Sequence, residues 1–159
     1  MIAWGGKWYG ALPVRVSGLD DIVQLADHMA VRADGTVWRW RSGEAAELVG
    51  GLKNVVAVVA RFNSFIAITR EGRAYAWGSN KNGRLGLGHR DDVSDPTPIP
   101  GLEGVLSAGL SYFAGGAVTR DGRAWTWGEN QSAQLGNGKL SGGEAEIGGF
   151  TLTPVTVPG

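Results

Sequence analysis

The chain has 159 residues and carries 15 basic and 15 acidic side chains, so no global field draws it to nucleic acid or to an anionic membrane. Hydrophobic residues make up 43% and charged residues 19%, enough apolar surface for one packed domain. Cysteine is absent, which removes disulfides, thiolate catalysis and cysteine-ligated metal centres, while 27 glycines, against a usual share of about 7%, point to many tight turns. The first residues lack a basic region followed by an apolar stretch, and the longest apolar run, 55–60, has the length of a strand. A cytoplasmic chain without a membrane segment is expected.

Taken in chain order, the pattern predicts strands and no amphipathic helix. Ile2-Ala3-Trp4-Gly5 opens the chain as a truncated copy of a phrase that recurs later, and Leu12-Pro13-Val14-Arg15-Val16 comes next as a proline-marked extended segment. After Gly18-Leu19 comes a strand at Ile22-Val23-Gln24-Leu25, then a hairpin, Arg32-Ala33-Asp34-Gly35-Thr36-Val37-Trp38-Arg39-Trp40. The cycle returns with Gly51-Leu52, a strand from Val55 to Val59, and the phrase Thr69-Arg70-Glu71-Gly72-Arg73-Ala74-Tyr75-Ala76-Trp77-Gly78. It returns again with Gly101-Leu102, Val105-Leu106-Ser107-Ala108, and Thr119-Arg120-Asp121-Gly122-Arg123-Ala124-Trp125-Thr126-Trp127-Gly128. Proline-marked segments around Pro96-Thr97-Pro98 and Thr153-Pro154-Val155 suit outer edge strands, which do not need every N–H in a ladder.

The closing tryptophans, Trp4, Trp40, Trp77 and Trp127, are spaced by 36, 37 and 50 residues, the size of a solenoid unit or a propeller blade. Asp34-Gly35, Glu71-Gly72 and Asp121-Gly122 read as two-residue hairpin turns with glycine at positive φ. After each turn large and small residues alternate: Tyr75 and Trp77 share one face, as do Trp125 and Trp127, while Ala74, Ala76 and Ala124 take the other. A sheet with one aromatic face and one small-residue face stacks on a copy of itself, so Trp77 and Trp127 are expected to be buried between sheets.

The phrases Trp77-Gly78-Ser79-Asn80-Lys81-Asn82-Gly83-Arg84-Leu85-Gly86 and Trp127-Gly128-Glu129-Asn130-Gln131-Ser132-Ala133-Gln134-Leu135-Gly136 resemble the regulator-of-chromosome-condensation repeat, over nearly the whole chain. The resemblance implies an all-β propeller of four-stranded antiparallel blades, of which this chain supplies about half a ring: an opening partial repeat at 1–17, a shortened repeat at 18–50, and repeats at 51–100 and 101–159. The first full copy departs from the pattern, with Arg41 in place of glycine and a loop cut to Ser42-Gly43-Glu44-Ala45-Ala46-Glu47, and the usual histidine between the first two strands is missing. The short early copies also resemble a bacterial propeller family that inhibits β-lactamases. In function, the resemblance implies a non-catalytic module that presents loops to a protein partner, as scaffold or inhibitor. The alternative is a guanine-nucleotide exchange factor for a small GTPase.

No catalytic, cofactor or metal site is expected. His28 and His89 lie in different copies and in no ligand spacing; His89-Arg90-Asp91 matches a kinase loop by letters only; Asp91, Asp92 and Asp95 fit no calcium loop. Gly83-Arg84-Leu85-Gly86-Leu87-Gly88 is not followed by a helix whose amides would hold a phosphate. Arg32, Arg70, Arg73, Arg120 and Arg123 flank the hairpin turns, either as a basic ring for an acidic partner or as solubilising cover for exposed edges. The opposite rim carries the loops between the first two strands of each copy, and these are the candidate partner-binding residues: Asp27 and His28, Arg61, Phe62 and Asn63, and Leu110, Ser111 and Tyr112. Aromatic side chains beside arginine anchor protein interfaces, unless Phe62 and Tyr112 tuck into the hub between blades. The expected partners are a protein and a second copy of the chain, a homo-dimer closing the ring, or else a complementing chain; neither nucleic acid nor membrane is expected.

Overall fold

A computed structural model describes residues 2–3, 14–41, 44–138 and 150–158. Trp4-Gly5, Leu12-Pro13 and Ser42-Gly43 lie outside these. Among the described residues there is no helix. A short pair, β1 (Ile2–Ala3) with β2 (Val14–Arg15), opens the chain. Three four-stranded antiparallel sheets come after it. The first contains β3 (Ile22–Ala26), β4 (Met29–Arg32), β5 (Val37–Arg39) and β6 (Glu47–Leu48). The second contains β7 (Val55–Arg61), β8 (Ser64–Thr69), β9 (Ala74–Gly78) and β10 (Val93–Pro98). The third contains β11 (Val105–Leu110), β12 (Ala114–Thr119), β13 (Ala124–Glu129) and β14 (Phe150–Thr156). Within each sheet, strands adjacent in space are adjacent in sequence.

The hairpin turns correct the sequence expectation. Gly35 N–H donates to Arg32 O at 2.9 Å and Arg32 N–H donates to Thr36 O at 2.9 Å, and the same pair of bonds recurs at Thr69–Gly72–Arg73 and Thr119–Gly122–Arg123. These are three-residue loops in which a type I turn is followed by a left-handed glycine, not two-residue turns. Only the glycine has positive φ (80°, 82° and 81°), whereas a two-residue type I′ turn would demand it of the acidic residue as well. Gly72 has a second duty. Its carbonyl accepts from Val105 N–H at 2.9 Å, and a Cβ there would lie 2.7 Å from Gly104 Cα, so the turn touches the next sheet.

The sheets stack through unlike faces. Ile66, Ile68, Ala74 and Ala76 on one face of the second sheet enclose Trp127 with Val105 and Ala117 of the third. On its other face Phe65, Ala67, Tyr75 and Trp77 meet Met29, Val31 and Val37 of the first. Trp127 is 0% exposed and Trp77 3%, as the alternation requires. Pro96 and Pro98 fall in β10 and Pro154 in β14, outer strands of their sheets. Along the opposite edge β3, β7 and β11 each shift register after their first residue, which leaves Val23, Val56 and Leu106 exposed at matching bulges. Gln24 ties two of these strands, donating from Nε2 to Val58 O at 3.1 Å while Oε1 accepts from Val58 N–H at 2.7 Å.

Candidate functional site

The loops between the first two strands of each sheet share one rim. In the β7–β8 turn Phe62 (φ 49°) and Asn63 (φ 57°) are both left-handed. Asn adopts that conformation readily; a bulky Phe does so at a cost, which marks the position as a functional candidate. The Phe62 ring packs edge-on against Tyr112 at 5.2 Å, and Tyr112 against Phe113 at 4.9 Å. The three rings stay 49%, 52% and 47% exposed, so they sit on the rim and not in the hub. Arg61 stands over Phe62 at 5.2 Å and Arg84 over Tyr112 at 5.3 Å.

Arg84 comes from the loop 79–92. That loop is wound on Asn80, a fully buried side chain whose Oδ1 accepts from Leu85 N–H at 3.0 Å and whose Nδ2 donates to His89 O at 2.8 Å. Asn130 repeats the device toward Leu135 N–H at 3.1 Å. Asn82 extends the loop to the third sheet, donating to Tyr112 O at 3.0 Å. Arg84 is 4% exposed, its Nε and Nη1 have no hydrogen-bond partner among the described residues, and burial pushes its pKa below the ordinary arginine range.

The expected rim residues divide into three groups. Arg61, Phe62 and Tyr112 gather in the aromatic cluster. Asp27, His28 and Asn63 instead line a cleft of about 600 Å3 between the first and second sheets, floored by Phe65 and Trp77. There Asp27 pairs with His28 at 2.7 Å, and Phe65 stacks on Trp77 at 5.4 Å. Leu110 packs against the core shared by the second and third sheets, and Ser111 builds its own turn by accepting from Ala114 N–H at 2.9 Å. Sequence reasoning weighed Arg84 only as part of a glycine-rich phrase that holds no phosphate, and it did not find the cleft. The signals were present in the long loop after Trp77 and in its shortened counterpart after Trp40.

On the opposite rim two of the arginines make contacts within the chain. Arg32 donates to Gly18 O at 2.7 Å and stacks over Trp38 at 4.3 Å, and Arg120 donates to Arg70 O at 3.2 Å. The turn carboxylates all titrate below the usual range: Asp34 through the Thr36 hydroxyl and amide, Asp121 chiefly through the Thr119 hydroxyl, and Glu71 through its own backbone N–H with Thr69 and Asn54. Among the described residues no cluster of His, Cys, Asp and Glu is arranged to hold a metal ion.

Comparison with known proteins places this arrangement. The chain is 30% identical over 137 residues to the human E3 ubiquitin-protein ligase HERC2, covering 65% of this chain and 3% of that protein. It is 39% identical over 113 residues to human protein RCC2, covering 60% of this chain and 22% of RCC2. Among solved structures, Prp20p from Saccharomyces cerevisiae, described with its binding to Gsp1p and histones, superposes with a TM-score of 0.71 at 18% identity over 91% of this chain and 41% of its own. Yeast RCC1 (Prp20) bound to Kap60 gives 0.65 at 25% identity over 85% and 35%. The chain thus spans less than half the length of each of these relatives. The regulator of chromosome condensation (RCC1) repeat matches residues 71–117 and 121–159, and a second description of the same repeat matches 55–84, so the chain belongs to the RCC1 repeat family.

Proposed function

We propose that this chain is a non-catalytic propeller module whose loop rim binds a protein partner. The observation that carries the reading is the Phe62–Tyr112–Phe113 cluster. Two sheets contribute to it, each ring is about half exposed, and Phe62 is held in a left-handed conformation beside Arg61. Exposed aromatic groups next to arginine are the usual anchors of protein interfaces. Binding of Prp20p to Gsp1p and histones, and of yeast RCC1 to Kap60, supports a protein partner here. The test is affinity capture with the chain as bait, comparing wild type with Phe62→Ser/Tyr112→Ser. The expected result is a partner lost by the double variant at an unchanged melting midpoint; a partner retained by that variant overturns the rim reading. Nucleotide release from a small GTPase, accelerated by the chain, would favour the exchange-factor alternative.

The proposal includes self-association. Val118 and Ala124 are the counterparts in the third sheet of the buried Ile68 and Ala74, yet both are exposed. A second copy covering that face, as a homo-dimer, is the favoured arrangement over a different complementing chain. Light scattering at a monomer mass across micromolar concentrations would exclude it.

A further inference from the structure

The exposed face of the third sheet repeats, position for position, the face of the second sheet that receives Trp127. At that junction Arg84 O accepts the Trp127 indole N–H at 2.7 Å, a Cβ on Gly86 would come within 2.9 Å of the ring, and Leu85 is buried in the shared core. The same winding recurs after Trp127, within the described residues 130–138. Leu135 N–H donates to Asn130 Oδ1 at 3.1 Å where Leu85 N–H donates to Asn80 Oδ1 at 3.0 Å. Gly136 N–H donates to Ala133 O at 3.2 Å where Gly86 N–H donates to Gly83 O at 3.1 Å. The left-handed positions match as well: Ala133 (φ 57°) with Gly83 (φ 66°), and Gly136 (φ 65°) with Gly86 (φ 72°).

What the third sheet lacks is the ring. Ile68, Ala74, Gly83, Arg84 and Gly86 are buried, whereas Val118, Ala124, Ala133, Gln134 and Gly136, which take their positions, are all exposed. Arg84 O is engaged by the indole, while Gln134 O accepts no hydrogen bond among the described residues. Among those residues a Cβ on Gly136 would meet only Val157, at 3.7 Å, so the space that Trp127 takes beside Gly86 is open. The loop keeps its shape without a ring because Thr126, in the place of Ala76, donates its hydroxyl to Leu135 O at 2.8 Å. Ala133 is held left-handed for the same winding, a strain that glycine avoids in the second sheet. A loop already ordered in this way gives up little conformational freedom when a ring arrives.

We propose that this surface is a socket for the indole of a strand-borne tryptophan, and that a second copy of the chain fills it with Trp4. Gln134 O accepts the indole N–H, Gly136 lies against the ring, and Val118 and Ala124 form the apolar floor. Of the four closing tryptophans, Trp77 and Trp127 are already buried within the chain, and Trp40 lines the cleft between the first and second sheets. Trp4 is assigned by register. The β1–β2 pair sets Ile2 opposite Arg15 and Ala3 opposite Val14, as β9 and β10 set Tyr75 opposite Pro98 and Ala76 opposite Thr97, so Trp4 follows Ala3 as Trp77 follows Ala76. The occupant rests on the self-association proposed above; the socket rests on the loop alone.

Two measurements on the full chain test this. Light scattering over a dilution series reads the dimer, which Trp4→Leu and Gly136→Ala are each expected to weaken about tenfold. Gly138→Ala is the control: that glycine is also left-handed (φ 73°) but has open space around its would-be Cβ, so the same backbone strain is expected to leave the dimer unchanged. The socket itself is read by NMR, titrating the Trp4→Leu chain with N-acetyl-tryptophanamide. Saturable shifts are expected at the amides of Gln134, Leu135 and Gly136, with none at Arg84, Leu85 and Gly86, whose site is filled, and none with N-acetyl-leucinamide. A dimer unweakened by Trp4→Leu overturns Trp4 as the occupant and leaves self-association standing. A monomer at every concentration removes self-association and the second copy together. Absent shifts at 134–136, or equal shifts from the leucine compound, overturn the socket.

Discussion

The two junctions between sheets use the same aromatic ring at the same register and finish it differently. Trp127 is capped by a loop, fixed through its N–H to Arg84 O, and sealed from solvent. Trp77 is stacked on Phe65 beneath an open cleft, and its junction is tied lower down by the paired bonds between Gln24 and Val58. A repeat protein can thus keep one stacking rule while sparing one site from closure. What differs is the length of the loop that follows the tryptophan of the preceding sheet, 79–92 after Trp77 but only the stretch from Trp40 to Glu47 in the first sheet, where Arg39 and Arg41 line the cleft.

The largest effect should separate these tryptophans. Trp127→Ala removes a fully buried ring and strands the Arg84 carbonyl, so it is expected at the upper end of about 3–5 kcal/mol, with Trp77→Ala at the lower end. Chemical denaturation of the two variants checks the order, and a costlier Trp77→Ala would mean that the loop adds little to the second junction. Next come the turn glycines. Gly122 is left-handed (φ 81°) with nothing near its would-be Cβ, so Gly122→Ala should cost about 1–2 kcal/mol from the backbone alone. Gly72→Ala should cost at least about twice as much, because its Cβ would also meet Gly104 Cα at 2.7 Å. Equal midpoint shifts would show that the backbone of the third sheet yields at that contact.

Gln24→Ala probes the first junction and should cost about 1–2 kcal/mol, with faster hydrogen exchange at Val58 and unchanged exchange at Val105. The smallest effect is with pH. Asp34, Glu71 and Asp121 have folded pKa values below their unfolded ones, so their contribution is present above about pH 4 and is lost as pH falls through the folded values. All three are exposed, which keeps the slope shallow. Asp121→Asn should flatten it slightly, and an unaltered acid limb would mean that the Thr119 contact carries no stability.

The stacking of unlike faces was legible in the sequence because Trp77 and Ala76, and Trp127 and Thr126, alternate in the only way that serves two neighbours at once. The turn geometry was not, because an Asp-Gly pair looks alike in a two-residue and a three-residue loop. The hydrogen bond that decides it comes from Arg32, Thr69 or Thr119 and is set by the pairing of the strands. Phe62 and Tyr112 stood out by residue type in a short loop. That they meet could not be read, since the contact depends on how neighbouring sheets are rotated. Arg84 was not singled out because its position is set by the winding of a loop on Asn80, and the glycines around it pointed only to a compact loop that holds no phosphate.

The strand order within each sheet has a consequence for how the chain assembles. Segments such as Thr69-Arg70-Glu71-Gly72-Arg73-Ala74 and Thr119-Arg120-Asp121-Gly122-Arg123-Ala124 are near duplicates, and a strand from one copy has little in its side chains to stop it from pairing with the wrong copy. Locality supplies the safeguard. Because β7 meets β8, β8 meets β9 and β9 meets β10 across short connections or a single loop, each correct partner is the one that leaves the ribosome next. Zipping a hairpin takes microseconds, whereas the competing copy arrives seconds later at ordinary rates of synthesis. Nearest-neighbour topology therefore acts as a proofreading device in time, and a circular permutation that splits a sheet between the two ends of the chain would give it up.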